Sequence, residues 1–196
     1  MVAPLFTLRN LEWELPEGVF DAILLTSANG ARFGLRSELT RLPCYAVGEA
    51  TARAARAHGT SQVITGPSDG AAALTLMAEA GVKRALHLCG REHIALAQPG
   101  ITTERRIVYA AEAAGALPAE AVRALSRGAL TLLHSPRAAA LFASLVPDRR
   151  SLRIAAISQA AADAAGSGWA EVHVAPAPRD HALLELAARL CKTGAR

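Results

Sequence analysis

Short apolar runs alternate along the chain with longer, alanine-rich stretches. Runs such as Ala22-Ile-Leu-Leu25 are continuously apolar, which is typical of parallel strands covered on both faces. The pattern predicts strands over 20–26, 43–47, 62–65, 84–88, 104–109, 129–134, 153–157 and 171–175, with one further strand at most within 2–8.

The stretches between these runs predict helices. Gly59 and Gly81 follow two of them as C-terminal stops, and Asp69 and Asp180 stand where an N-cap belongs. The predicted helices span 29–41, 49–58, 70–80, 119–127, 137–146, 159–165 and 181–192. Strands that alternate with helices in this way indicate an α/β fold with parallel sheets and right-handed crossovers.

The middle of the chain and its C-terminal part repeat each other at an offset of about 110 residues. The paired segments are 21–31 with 129–139, 44–52 with 154–162, 62–64 with 171–173, and 67–74 with 178–184. Four signals in the same order are hard to obtain by chance, so we interpret the chain as two related α/β halves. The halves are unequal, because residues 20–109 supply five predicted strands and residues 129–196 only three.

Composition and charge narrow the class of protein. Of the 196 residues, 52% are apolar and 19% are charged, which argues against disorder and allows sizeable cores. No apolar run is long enough for a membrane helix and no basic leader is present, so we expect a cytoplasmic protein with no membrane partner. The net charge of +4 is modest and the arginines are scattered, so we expect no nucleic-acid partner. We expect the protein to be a monomer.

Side chains that could hold a metal or attack a substrate are few. Cys44, Cys89 and Cys191 are odd in number and widely spaced, and we interpret them as buried, reduced thiols. The six histidines show no metal-ligand spacing, so no metal site is predicted. Neither a Gly-x-x-x-x-Gly-Lys-Ser/Thr loop nor a Gly-x-Gly-x-x-Gly fingerprint occurs, which disfavours nucleotide binding of the familiar kinds. Three histidines within the strand runs are interpreted as structural, namely His87, His134 and His173.

The turns that follow the predicted strands carry small hydroxyl residues and glycines. In parallel α/β folds the helix N-termini at these turns expose N–H groups that bind carboxylate or phosphate. The candidate residues are Ser27 with Asn29, Gly48 with Thr51, Gly90 with Arg91, Ser135 with Pro136 and Arg137, and Ser158 with Gln159. Any one turn could be an N-cap alone. Five such turns in two duplicated halves favour a shared ligand cleft.

An ordered set of short motifs over essentially the whole chain resembles the uroporphyrinogen-III synthase family. The motifs are Leu25-Thr-Ser27, Ala46-Val-Gly-Glu-Ala-Thr51-Ala52, Leu88-Cys-Gly90, Val108-Tyr109, His134-Ser-Pro136, Ala156-Ile-Ser158 and Val174-Ala-Pro. The resemblance implies two similar flavodoxin-like α/β domains with parallel sheets, joined by a two-stranded linker, with the active site in a cleft between them. It implies a discontinuous domain of residues 1–7 and 113–196, and an inserted domain of residues 8–112 that includes the linker strands.

The resemblance also implies a difference at the N-terminus. Members of the family begin with a strand and a helix before the segment that matches Val2–Phe6, and this chain starts at that segment. We therefore expect the discontinuous domain to lack its N-terminal strand–helix unit and to be incomplete.

The reaction implied by the resemblance is the cyclisation of hydroxymethylbilane, a linear tetrapyrrole, to uroporphyrinogen III in haem biosynthesis. Water is lost, ring D is inverted, and no cofactor is needed. The many carboxylates of this substrate would suit the helix N-termini described above. The alternative is a noncatalytic relative with the same two-domain fold that binds an anionic small molecule.

Residue roles follow from the same resemblance. Tyr109 matches a tyrosine proposed to assist departure of the hydroxyl, since a phenol carries its proton at neutral pH; on the sequence alone it could equally be a linker tyrosine that packs its ring. Thr51 and Ser135 match carboxylate-binding residues, and Arg153 falls where a basic residue is common. One departure is Ala161, which stands where the second copy of the Thr51 motif would have a threonine, so one hydroxyl contact is absent. Ser158 stands in that copy where a glycine is usual.

Overall fold

The computed structural model describes residues 1–66 and 69–193, and Pro67 and Ser68 of the repeated segment 67–74 lie outside them. The chain divides into two units. One consists of Met1–Thr7 and the chain from Ala113 onward, and the other is Leu8–Glu112.

A six-stranded sheet forms the centre of the Leu8–Glu112 unit. Its strands are β1 (Phe6–Asn10), β2 (Ala22–Leu25), β3 (Cys44–Val47), β4 (Val63–Gly66), β5 (Arg84–Gly90) and β6 (Thr102–Ala113), in the order β1-β6-β5-β2-β3-β4. The pairs from β6 to β4 are parallel. Leu11 N–H donates to the Val108 carbonyl and Ala114 N–H to the Leu5 carbonyl. Residue numbers rise on one strand as they fall on the other, so β1 and β6 form an antiparallel ribbon, and the division between the units falls within it.

Helices cover both faces of this sheet. They are α1 (Ala28–Gly34), α2 (Glu49–Ala57) and α3 (Gly70–Glu79). Ile23 and Leu25 of β2 pack into the core cluster that contains Ala31 of α1, whereas Leu24 packs into a second cluster with Leu74 of α3. Successive residues of β2 thus meet different cores, which is the physical reason for its continuously apolar sequence.

The predicted helix over 29–41 is wrong beyond Gly34. Leu35 has extended backbone angles (φ −71°, ψ 127°), and a 3-10 turn over Ser37–Leu39 follows. Tertiary contacts end the helix here, since Leu35 packs against the core and the Arg36 guanidinium lies 4.0 Å from the Trp13 ring centroid.

A three-stranded parallel sheet forms the centre of the other unit. Its strands are β7 (Leu130–Leu133), β8 (Arg153–Ala156) and β9 (Glu171–Val174), and its helices are α4 (Ala119–Ser126), α5 (Pro136–Leu145), α6 (Gln159–Ala165) and α7 (Asp180–Thr193). Ile154 packs with Phe142 of α5 on one face, and Ala155 packs with Leu183 of α7 on the other. The eight strands predicted within residues 20–175 are present, and the predicted class, α/β with two parallel sheets, is confirmed, with the antiparallel β1 added at the edge of the larger sheet.

Two further expectations need correction. Asp180 is the first residue of α7 and not its N-cap, because the Arg179 carbonyl already accepts the N–H of Leu183. Cys44 and Cys89 are buried as expected, but Cys191 on α7 is exposed. Burial raises the pKa of the Cys44 thiol to about 12 and also raises that of Cys89, so neither is a ready nucleophile.

None of the helices in the described residues is long and apolar enough to cross a membrane.

Candidate functional site

Ser27, Gly90 and Tyr109 meet at the carboxyl end of the parallel strands of the six-stranded sheet, and we call this group the tyrosine edge. Ser27 follows β2 and caps α1, where its Oγ accepts the Gly30 N–H at 3.2 Å. The same Oγ lies 3.0 Å from the Tyr109 hydroxyl on β6. A side chain from one strand end is therefore linked directly to a side chain two strands away in the sheet.

Gly90 lies between them at the end of β5. A Cβ built on Gly90 would lie 2.6 Å from Cζ of Tyr109 and 2.9 Å from its hydroxyl oxygen, well inside van der Waals contact. Arg91 N–H donates to the Tyr109 carbonyl at 2.9 Å, so the backbone beside Gly90 also fixes the strand that carries the phenol. Only glycine leaves room for the ring in this position.

Phe33 of α1 packs against the Tyr109 ring, with ring centroids 5.8 Å apart and planes inclined by 31°. Tyr109 is half-buried and also packs against the core of this unit. The phenol is therefore held in place by ring contacts, while its hydroxyl reaches the strand end. Nothing in the sequence of α1 distinguishes Phe33 from an ordinary core residue, so its contact with Tyr109 could not be predicted.

A buried histidine lies beside the tyrosine edge. His87 of β5 is 1% exposed, and its Nε2 lies 3.0 Å from Oγ1 of Thr26, the neighbour of Ser27. Its Nδ1 has no hydrogen-bond partner within the described residues. Burial lowers the pKa of His87 to about 4, and the charges of His93 and Arg105 act in the same direction, so the ring is neutral at physiological pH. This burial agrees with the structural interpretation of His87. Its hydrogen-bond partner Thr26 was not among the residues predicted from the sequence.

The turn before α2 differs from the turn at Ser27. Gly48 has a φ of +75° and provides no side-chain cap, and a Cβ there would meet nothing within 4 Å. Thr51, three residues further on, is only 4% exposed. The N–H groups at the start of α2 thus have no cap from Gly48, while the Thr51 hydroxyl lies inside the fold.

The two remaining candidates of this unit lie near the tyrosine edge in sequence. Asn29 is half-buried in the first turn of α1, and its Oδ1 accepts a long 3.4 Å hydrogen bond from Arg32. Arg91 is exposed directly after β5. Arg91 can therefore reach a ligand in solvent, and its backbone already contacts Tyr109.

In the three-stranded unit the candidate serines act as helix caps. Ser135 Oγ accepts the Ala138 N–H at 3.1 Å, and Ser158 Oγ accepts the Ala161 N–H at 3.3 Å. Pro136 occupies the first turn of α5, as expected. Arg137 is exposed, and its guanidinium lies 4.2 Å from the Phe6 ring centroid.

The side chains of Arg153 and Gln159 both donate hydrogen bonds within the three-stranded unit. Arg153 begins β8 and donates to the Gly128 carbonyl at 3.2 Å, so it lies at the opposite end of the strand from Ser158. Gln159 donates to Asp163 on its own helix at 2.8 Å. Ala161 is fully buried, at the same helical position as Thr51 in the first copy. The structure thus groups Ser135 and Ser158 at one end of their sheet and separates Arg153 from them.

One family model and several solved structures are similar to this chain. The family model described as uroporphyrinogen-III synthase HemD matches residues 1–185. The crystal structure of uroporphyrinogen-III synthetase from Helicobacter pylori 26695 is similar with a TM-score of 0.73 at 22% identity, over 95% of this chain and 91% of that one. A crystal structure of uroporphyrinogen III synthase from Thermus thermophilus gives a TM-score of 0.44 at 20% identity, over 90% of this chain and 80% of that one. A search of curated protein sequences gave no match.

Proposed function

The chain belongs to the uroporphyrinogen-III synthase family, and we propose that it cyclises hydroxymethylbilane to uroporphyrinogen III with Tyr109 as the proton donor. Members of this family are lyases of tetrapyrrole biosynthesis. The observation that carries the assignment of the tyrosine is the 3.0 Å contact between the hydroxyls of Tyr109 and Ser27, at a strand end where Gly90 leaves room for the ring.

The reaction needs a proton at its first step and control of geometry afterwards. The terminal hydroxyl leaves as water and an azafulvene cation forms. The substituted carbon of ring D attacks this cation to give a spiro intermediate, which reopens and closes with the ring inverted. Free hydroxymethylbilane closes without inversion, so the protein must mainly hold the intermediates in the right orientation, which can contribute on the order of 7–11 kcal/mol.

The hydrogen bonds at Ser27 suit proton donation by Tyr109. Ser27 Oγ accepts the Gly30 N–H, and its own proton is free to be donated to the Tyr109 oxygen. In that arrangement the phenolic proton points away from Ser27 and is available to the hydroxyl of the substrate. Ser27 then also stabilises the negative charge that develops on the phenol oxygen.

The proton balance closes on the same residue. Tyr109 loses its proton when water leaves, so a phenolate forms beside the cationic intermediate and stabilises it by charge. The final ring closure releases one proton from carbon as the pyrrole regains its aromatic system. Returning this proton to the phenolate restores Tyr109 for the next turnover.

Carboxylates of the substrate are proposed to bind at the remaining turns. The N–H groups at the start of α2, left without a cap by Gly48, are stronger candidates than the buried Thr51 hydroxyl. Ser135 and Ser158 accept bonds from their own helices but each retains a hydroxyl proton that can be donated. Further contacts are assigned to Asn29, Arg91, Pro136, Arg137, Gln159 and, at the far end of β8, Arg153.

Incubation of the protein with freshly prepared hydroxymethylbilane tests the function directly. The uroporphyrin isomers are separated after oxidation, and we expect isomer III in excess over the spontaneous isomer I. Isomer I alone would exclude catalysis and leave the alternative of a noncatalytic relative that binds an anionic ligand.

Tyr109→Phe tests the role of the phenol. We expect kcat to fall about 100-fold, which is the lower range for loss of a general acid. Tyr45→Phe is the matched control, because Tyr45 is the other tyrosine of the chain and lies in the opposite core cluster. An unchanged kcat for Tyr109→Phe would exclude Tyr109 as the proton donor while leaving the cyclisation itself in place.

We further propose that the protein acts as a cytoplasmic monomer. All three cysteines are free thiols, which is consistent with a reducing compartment. Gel filtration at working concentrations tests the monomeric state, and a dimer mass would contradict it.

A further inference from the structure

We propose that His93 and Arg105 position Tyr109 for the reaction by holding the Gly90 peptide against the phenol ring. The proposal rests on the cyclisation proposed above and adds two positioning residues to it. Both side chains act through the backbone on which its ring rests, His93 by its bond to the Gly90 carbonyl and Arg105 by its bond to His93.

The direction of each hydrogen bond in this chain of contacts is fixed by chemistry. Arg105 Nη1 lies 2.8 Å from His93 Nε2. A guanidinium has donors only, so Nε2 accepts this bond and the ring proton is carried by Nδ1. His93 Nδ1 lies 3.0 Å from the Gly90 carbonyl oxygen and therefore donates to it. Arg105 thus selects the tautomer of His93 that can hold Gly90.

Gly90 needs such a hold because the strand pairing changes at this residue. Cys89 pairs with Ile107 of β6, whereas Gly90 pairs with Tyr109, so the register shifts between the two. Glycine also has the most freely rotating backbone of any residue. A Cβ built on Gly90 would lie 2.6 Å from Cζ of Tyr109, so the Gly90 backbone packs directly against the ring and its rotation would shift that contact. The bond from His93 limits this rotation, together with the bond from the N–H of the same peptide to the Tyr109 carbonyl.

His93 lies in the loop after β5, and two side chains of the sheet, Arg105 and His87, hold its ring in place. Arg105 on β6 is the register partner of His87 on β5. The buried His87 ring meets the His93 ring edge-on, with centroids 6.3 Å apart and planes at 86°. His93 is therefore held from two neighbouring strands while it holds the end of one of them.

Substitution of His93 gives the first test. His93→Ala should lower kcat about tenfold with KM changed less than about twofold, because a misplaced catalytic group affects the chemical step more than substrate binding. His93→Asn places an amide N–H near the position of Nδ1 and should restore kcat to within about threefold of the wild type. Arg105→Ala, on an exposed strand position, should lower kcat about threefold because the tautomer is no longer selected. Equal kcat values for wild type, His93→Ala and Arg105→Ala would overturn the proposal.

A matched control removes the same kind of bond elsewhere. His58 Nδ1 lies 2.8 Å from the Ala54 carbonyl at the end of α2, away from the strand ends, so His58→Ala should leave kcat unchanged. A loss equal to that of His93→Ala would overturn the proposal, because the effect would then be one of general stability.

A double-mutant cycle separates positioning from every other role of His93. If His93 acts through the phenol, His93→Ala should have no further effect on kcat in a Tyr109→Phe background. Losses that multiply in the double variant would overturn the proposal. Isomer III made by the wild type in the same assay confirms the cyclisation on which the cycle depends, and its absence would overturn both proposals together.

Discussion

Both sheets carry polar residues at the carboxyl ends of their parallel strands, but the contacts of these residues span different distances along the sequence. At the tyrosine edge Ser27 contacts Tyr109, 82 positions away in sequence, and Gly90 of a third strand lies between them. In the three-stranded unit Ser135 and Ser158 each bond an N–H only three positions along their own helices. The first set is a group assembled across strands, and the second is a pair of local caps.

The difference is visible again in the repeated turns themselves. In the first copy Gly48 provides no side-chain cap and Thr51 is buried, whereas in the second copy Ser158 caps the helix and Ala161 is buried. The first turn has no side-chain cap, whereas in the second the Ser158 side chain caps one N–H of its helix. The duplicated segments thus share their fold but differ in how their helix N-termini are capped, and the tyrosine edge lies in the unit of the first copy.

The largest expected effect is a pH dependence of stability caused by His87, the buried histidine of the six-stranded unit. The pKa of His87 is lowered from 6.5 to about 4, so the unfolded chain binds more protons between these values. The free energy of unfolding therefore has its full value above about pH 6.5 and decreases as the pH falls toward 4, by about 3 kcal/mol in all. Urea unfolding across this range should show the loss in the wild type and much less of it in His87→Gln. His181→Gln, at an exposed histidine of α7, should keep the wild-type profile, and an unchanged profile for His87→Gln would contradict the assignment.

Gly90→Ala should break the tyrosine edge. The added methyl group overlaps the Tyr109 ring, so we expect kcat to fall about 100-fold and the free energy of unfolding to fall by about 1–3 kcal/mol. Gly115→Ala is the control, because a Cβ there meets nothing within 4 Å. Steady-state kinetics and urea unfolding of both variants check this, and wild-type kinetics for Gly90→Ala would show that the ring position does not matter.

Serine-to-alanine changes at the two sheets sharpen the contrast. Ser27→Ala and Ser135→Ala each remove a helix cap and should cost about 1 kcal/mol of unfolding free energy. Only Ser27→Ala should lower kcat, by about tenfold, because it also removes the partner of the Tyr109 hydroxyl. Ser135→Ala should instead raise KM at unchanged kcat, as expected for a residue that binds substrate and transition state equally. The reverse distribution of kcat and KM effects would refute the division of roles.

The smallest effect is expected for Ala161→Thr, which restores the hydroxyl that the family resemblance leads one to expect. Because Ala161 is fully buried, the larger side chain should cost about 1 kcal/mol of stability and change KM by less than about twofold. Measured KM values and unfolding midpoints would decide the matter. A several-fold decrease in KM would show that this position reaches the substrate.

The sequence by itself determined most of the local structure. Apolar runs located the eight strands within residues 20–175, and Ser27, Asp69, Ser135 and Ser158 cap their helices by bonds to N–H groups three residues away. These features depend on neighbours along the chain, so a pattern of residues suffices to predict them. The family resemblance likewise rested on short motifs at such turns. The end of α1 at Gly34 escaped prediction because distant side chains decide it.

Only the tertiary structure decided which strand ends come together. The order β6-β5-β2 differs from the order of the strands in sequence, and it is this order that places Gly90 between Ser27 and Tyr109. It also places His93 and Arg105 where one selects the tautomer of the other. Arg153 shows the opposite case, because its place at the start of β8 separates it from Ser158 despite their nearness in sequence. Strand order and direction are set by the packing of both faces of the sheet, and no local pattern in the sequence records them.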